Sequence, residues 1–288
     1  MSQSPRTLLQ YLLPQHGISR LVHRLMRSQR MPAHKAFARW FVRRYGVDMS
    51  EALEPRIEAY PDFNSLFTRA LRPGTRPTCE EPGGICCPVD GYLSQAGAIL
   101  DTEIFQAKGR RYSLVQLLGG SAERAAPFVD GNFATLYLSP GDYHRVHMPM
   151  AGRLTEMVHV PGKLFSVSPA CVRAIPGLFA RNERVVSIFE TGEAGPMAMV
   201  LVGAINVGSI ETVWAGEVTP PRGRRIASHR YPAQGDQSVH LGRGEEMGRF
   251  NLGSTVILLF GPNRVRWEPG LEPERPLRLG QCLGRLRG

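Results

Sequence analysis

Phe250-Asn251-Leu252-Gly253-Ser254-Thr255-Val256-Ile257-Leu258-Leu259-Phe260 is a stiff apolar run reached through a glycine and a serine. From Thr255 onward it is built of branched and aromatic side chains over the length of a single strand. The same texture recurs outward from it, at residues 133–138, 154–160, 185–189, 197–202 and 207–214, with Gly and Pro turns between the runs. Residues 113–118 read as the one helix among them, and Asn64 is placed to cap a short helix running to Leu71. This spacing predicts an α+β chain: a mainly antiparallel β domain, sandwich or barrel-like, over residues 61–288, with a helical appendage over residues 1–60. No internal repeat interrupts the pattern.

The appendage has a different chemistry from the rest. Of the net charge of +10 on the 288 residues, +8 lies in the first fifty, where Asp48 is the only acid. Ile18, Leu21, Val22, Leu25 and Met26 recur at helical spacing among arginines, and after Pro32 the aromatic residues Phe37, Trp40, Phe41 and Tyr45 share a face. A shorter apolar segment, residues 8–13, stops at Pro14. Two readings fit: the stripes pack on the protein's own core, or they lie on an anionic lipid surface with Leu21, Leu25, Phe37 and Trp40 inserted. Nucleic acid suits them poorly, because the residues between the arginines are bulky and apolar. No run is long and apolar enough to span a bilayer or serve as a secretory signal, so a cytoplasmic location is expected. The five cysteines, Cys79, Cys86, Cys87, Cys171 and Cys282, lack zinc-ligand spacing and read as reduced thiols; no metal site is expected.

Ser254 lies where glycine permits distorted backbone, so its hydroxyl has two possible targets: its own preceding carbonyl or a separate ester. An ordinary bend entering a strand would use the same letters. A base is available in Ser139-Pro140-Gly141-Asp142-Tyr143-His144-Arg145-Val146-His147, where two of the eight histidines fall within four positions. On a regular strand His144 and His147 would face opposite ways, so sharing a site requires a bend. Asp90, in Pro88-Val89-Asp90-Gly91, offers a carboxylate, although Asp-Gly is also common turn chemistry. Asp90, His147 and Ser254 together make a triad that serves either a serine hydrolase acting on lipid esters or a serine that cuts its own chain.

The chain resembles the bacterial, membrane-associated phosphatidylserine decarboxylases. The resemblance runs through residues 63–69, 88–91, 142–147, 161–167, 182–184 and 248–255 in order, and the basic helical N-terminus fits it. It implies a zymogen in which Ser254 attacks the Gly253 carbonyl, His147 takes the proton and Asp90 orients the imidazole. Cleavage between Gly253 and Ser254 then yields chains 1–253 and 254–288, the second beginning with a pyruvoyl group derived from Ser254. It further implies His144 as the acid that reprotonates the substrate carbon, and Phe165 and Ser166 as contacts to the acyl chain and headgroup. The expected partners are phosphatidylserine, an anionic membrane surface on the cytoplasmic side and the two cleaved chains, with a homodimer left open.

Overall fold

The computed structural model describes residues 10–11, 13–29, 33–205, 209–219, 225–251 and 254–287, with Ser254 described by its backbone. Half of the segment 8–13 and all of Gly253 therefore lie outside the described residues. The largest sheet is antiparallel throughout. In spatial order it runs Ala227–Arg230, Gly152–Val160, Arg184–Thr191, Gly195–Val202, Ser254–Phe260, Asn132–Leu138, Gly91–Ala98 and Pro276–Leu277, with His240–Leu241 also on Gly152–Val160. Val256 through Phe260 are fully buried at its centre, which explains why this run shows no polar alternation. Each such side chain contributes about 1.5–3 kcal/mol of burial.

A smaller sheet orders Gly216–Glu217, Ile210–Thr212, Glu246–Phe250 and Arg145–His147. A third orders Gly84–Cys86, Cys282–Leu286 and Val265–Trp267. The sheets are open and do not close into a barrel, and the whole is α+β as expected. Besides the helix at Leu114–Leu117, short helices also occur at Ala122–Ala125, Pro169–Ala174 and Leu178–Arg181, more than the sequence suggested.

Near the N-terminus the helices α1 (Gln15–Met26), α2 (His34–Tyr45) and α3 (Phe63–Phe67) lie on this body. Ala38 and Phe41 of α2 form a second small core with Val47 and with Phe63, Leu66 and Phe67 of α3, so this cluster spans residue 60. The cap of α3 is Asp62, whose Oδ1 accepts the Ser65 N–H at 2.8 Å, and not Asn64 as expected. Asn64 is drawn elsewhere by its amide, and the helix ends at Phe67, short of Leu71. No helix among the described residues is long and apolar enough to cross a membrane.

One expectation about the cysteines is corrected. Cys79 and Cys282 form a disulfide, while Cys86, Cys87 and Cys171 are buried free thiols. The pairing of Gly84–Cys86 with Cys282–Leu286, and the bond from Cys79 N–H to the Gly280 carbonyl at 2.7 Å, bring these two cysteines together. Residues 203 apart in the chain offer no spacing from which to read such a pair.

Candidate active site

The strand of the smaller sheet that ends at Phe250 precedes the central strand of the largest sheet, which begins at Ser254. On the incoming side, the Phe250 N–H donates to the His144 carbonyl at 3.0 Å; on the outgoing side, Ser254 is in register with Leu138. Residues 139–143 therefore connect the backbone partner of Phe250 to that of Ser254. From a third direction the Pro88 carbonyl accepts the His147 N–H at 2.9 Å, delivering Asp90. Gly91 permits this approach: its φ is +152°, and a Cβ there would overlap the Tyr137 carbonyl.

The two histidines have different surroundings. His147 is half-buried, with Nδ1 2.9 Å from the Gly244 carbonyl and Nε2 3.2 Å from the Tyr143 hydroxyl. Donation from Nδ1 to that carbonyl leaves Nε2 as the acceptor, the form a general base needs. Burial pushes its pKa below 6.5. His144 is fully buried, its ring 4.0 Å from that of Phe67, and its Nδ1 lies 2.8 Å from the Asp142 carbonyl. Its Nε2 has no hydrogen-bond partner among the described residues, and burial pushes its pKa to about 3. At neutral pH both rings are uncharged.

Asp90 is placed less simply than the triad reading implies. Its carboxylate accepts from Arg76 Nε at 2.9 Å and Nη2 at 2.7 Å, and from the Leu279 N–H at 2.8 Å, while His147 Nδ1 is satisfied by Gly244. Asp90 acts on the histidines through its charge, which favours the protonated form of both.

Sequence reasoning missed the groups that hold this region in place. Asp142 Oδ2 accepts the Ser139 N–H at 2.6 Å, and burial pushes its carboxyl up to about 6. Asn251 is buried, its Oδ1 accepting from Asn64 Nδ2 at 3.0 Å, its N–H donating to the Ser209 carbonyl at 2.9 Å and its amide donating to Ser209 Oγ. Burial is what gives these ordinary polar letters their importance, and the sequence carried no sign of it beyond their place inside the motifs.

Of the remaining predicted residues, Ser166 lines a cavity of about 280 Å³ together with Phe41, Tyr45, Phe67, Leu138 and Ile205, among others. Leu138, in register with Ser254, places that cavity beside the start of the central strand. Ser166 faces it, whereas Phe165 is fully buried, its backbone clamped by the Asn182 amide at 3.0 and 2.8 Å. The Phe165 ring lies 5.0 Å from the Arg181 guanidinium and 4.9 Å from the Tyr11 ring. Leu21, Leu25 and Trp40 are exposed, and Phe37 is half-buried, packed 4.8 Å from Phe63 and stacked on Trp40.

A family model described as phosphatidylserine decarboxylase matches residues 63–285, most of the chain, and a second, described as PSD, matches residues 5–46. The chain belongs to the phosphatidylserine decarboxylase family. Its relatives include the phosphatidylserine decarboxylase proenzyme of Bordetella pertussis, 58% identical over 274 residues that cover 95% of this chain and 92% of the relative. The proenzyme of Marinobacter nauticus is 55% identical over 280 residues, covering 97% and 96%. That of Pseudomonas paraeruginosa is 56% identical over 274 residues, covering 95% and 94%. The family's two matched regions correspond to the helices α1 and α2 and to the β-rich body that carries the histidines.

Proposed function

We infer that this enzyme converts phosphatidylserine to phosphatidylethanolamine and CO2, in an active form produced when Ser254 severs its own link to Gly253. What carries the reading is the backbone arrangement: the histidine segment is bonded to Phe250 on one side and Leu138 is in register with Ser254 on the other, in a chain whose relatives are named as proenzymes of this decarboxylase. A lipid-ester hydrolase using Asp90, His147 and Ser254 would need no proenzyme, and the relatives' names favour the decarboxylase.

In this reading Ser254 Oγ attacks the Gly253 carbonyl and His147 Nε2 takes the hydroxyl proton, exchanging its bond from Tyr143 for one to the serine. The charge of Asp90, fixed by Arg76, favours the imidazolium that results. The cofactor is a pyruvoyl group derived from Ser254. The surroundings suit a small carbonyl group, because the Thr255 hydroxyl is buried without a hydrogen-bond partner among the described residues and can donate to it. When present, that group supplies the electron sink for the carbon that loses CO2. His144, uncharged, takes a proton from the incoming ammonium at Nε2 and returns it to the substrate carbon. Ser166 meets the headgroup in the cavity, and Phe165 meets an acyl chain once Tyr11 moves aside.

The substrate stays in a bilayer, so the enzyme works as a peripheral protein on the cytoplasmic face of the membrane. Leu21, Leu25 and Trp40 would enter the lipid, flanked by the exposed Arg20, Arg24, Arg43 and Arg44, with Phe37 bracing Trp40 from below.

Mass spectrometry after reduction tests the central reading; reductant is required because Cys79 and Cys282 fall in different fragments. Fragments 1–253 and 254–288 are expected, the second lacking its first nitrogen. Ser254→Ala and His147→Ala should stay whole, while His144→Ala should be cut yet decarboxylate about 100-fold more slowly. Full activity in one continuous chain would overturn the proposal. Removal of residues 1–46 should abolish liposome binding, and unchanged binding would refute the docking.

A further inference from the structure

Arg69, two residues beyond α3, is only 5% exposed. Its Nε and Nη1 have no hydrogen-bond partner, and Nη2 reaches only the Gly141 carbonyl, at a long 3.4 Å. Among the described residues it forms no ion pair. Burial is the largest influence on it and pulls its pKa down, against the charge or potential charge of Tyr60, Asp90, Tyr143 and Glu51, and Asp142 also feels its field. Asp90 and Glu51 are already committed to Arg76, each at 2.7 Å. A buried guanidinium left with most of its five donors unmet is costly, and an apolar chain of similar length would cost less in its place.

The position of the charge suggests what it is kept for. Gly141, its one hydrogen-bond partner among the described residues, belongs to the segment between Leu138, in register with Ser254, and His144, bonded to Phe250. The same charge lowers the pKa of His144 and of Asp142 on either side of Tyr143, so its potential pervades that segment. Arg76 makes the contrast: two carboxylates and the Thr75 carbonyl engage four of its five donors.

We propose that Arg69 supplies the positive potential that stabilises the oxyanion formed when Ser254 Oγ adds to the Gly253 carbonyl, acting through its field and not by contact with the reacting atoms. The inference rests on the self-cleavage reading above. As the Oγ–C bond forms, the hydroxyl proton passes to His147 and the carbonyl π pair moves onto oxygen. When that pair returns, the C–N bond breaks and the Ser254 nitrogen leaves with the proton. The negative charge exists only between these two events, so a cation uncompensated before them favours the transition state over the ground state.

A residue kept for its field and one kept for packing predict opposite stabilities, which makes Arg69→Met informative. In pulse–chase translation of the full chain, Arg69→Met should be cut about 100-fold more slowly than wild type, with Arg69→Lys between them. In the uncleavable Ser254→Ala background, Arg69→Met should melt at or above the temperature of Ser254→Ala alone. Cutting at the wild-type rate, or slow cutting together with a lower melting temperature in that background, would overturn the proposal. A wild-type chain that is never cut would instead bring down the self-cleavage reading beneath it.

Discussion

Helices α1 and α2 have the same length, twelve residues, and similar arginine-rich amphipathic sequences, yet they attach to the body by opposite faces. α2 buries apolar groups: Ala38 and Phe41 enter the small core, and Phe41 lies 4.9 Å from Phe63. α1 buries its polar stripe. Gln15 and Ser19 are its buried residues, Gln15 Oε1 accepts the Leu164 N–H at 2.8 Å, and His23 and Arg27 both reach Glu217, at 3.1 and 2.6 Å. Leu21 and Leu25 point outward. An amphipathic pattern announces that two faces differ, but the surface beneath decides which face is covered. Under α2 that surface is a phenylalanine cluster, and under α1 it is a backbone N–H and a carboxylate that need partners.

The contrast can be broken most sharply at its apolar end. Phe41→Ala should destabilise the fold by about 3–5 kcal/mol in denaturant unfolding, since it opens a cavity among Phe63, Phe67 and Tyr45. A change below about 1 kcal/mol would mean that α2 is held elsewhere. The reverse test on α1 is Leu21→Ser with Leu25→Ser. Stability should stay within about 0.5 kcal/mol, while partitioning onto anionic vesicles falls roughly tenfold or more. Unchanged partitioning would remove the outward face from the docking surface.

Gln15→Leu should cost about 1–3 kcal/mol of α1 docking by stranding the Leu164 N–H, seen as faster hydrogen exchange over residues 15–26. The smallest effect is that of pH. His23 is held below 6.5 by burial first and by Arg27 and Arg24, against the pull of Glu217. The docked helix therefore prefers the neutral ring, and docking that is complete above pH 6.5 should weaken as the pH falls below it. Protection over α1, measured relative to the intrinsic exchange rate at each pH, that rises in acid would reverse this assignment.

Much of the β body was legible because its signal is local. The runs at 133–138, 154–160, 185–189, 197–202 and 255–260 all fall within observed strands, since branched apolar residues between turns have few other ways to be buried. The active-site letters were legible as a set of motifs, but the partnerships among them were not. Asp90 faces Arg76, His147 is oriented by the Gly244 carbonyl, and the His144 ring lies tilted against Phe67 of α3. Each is a choice among several chemically acceptable partners, settled by which backbone segments approach.

The sequence by itself determined the α+β composition, the central apolar strand and the short list of residues able to carry the chemistry, because side-chain type and periodicity act over a few positions. Tertiary structure alone decided the Cys79–Cys282 bond, the inward polar face of α1 and, among the described residues, the lack of partners at Arg69 Nε and Nη1 and at His144 Nε2. Those depend on burial and on contacts between distant segments, where the loss of water makes a missing or a present partner matter most.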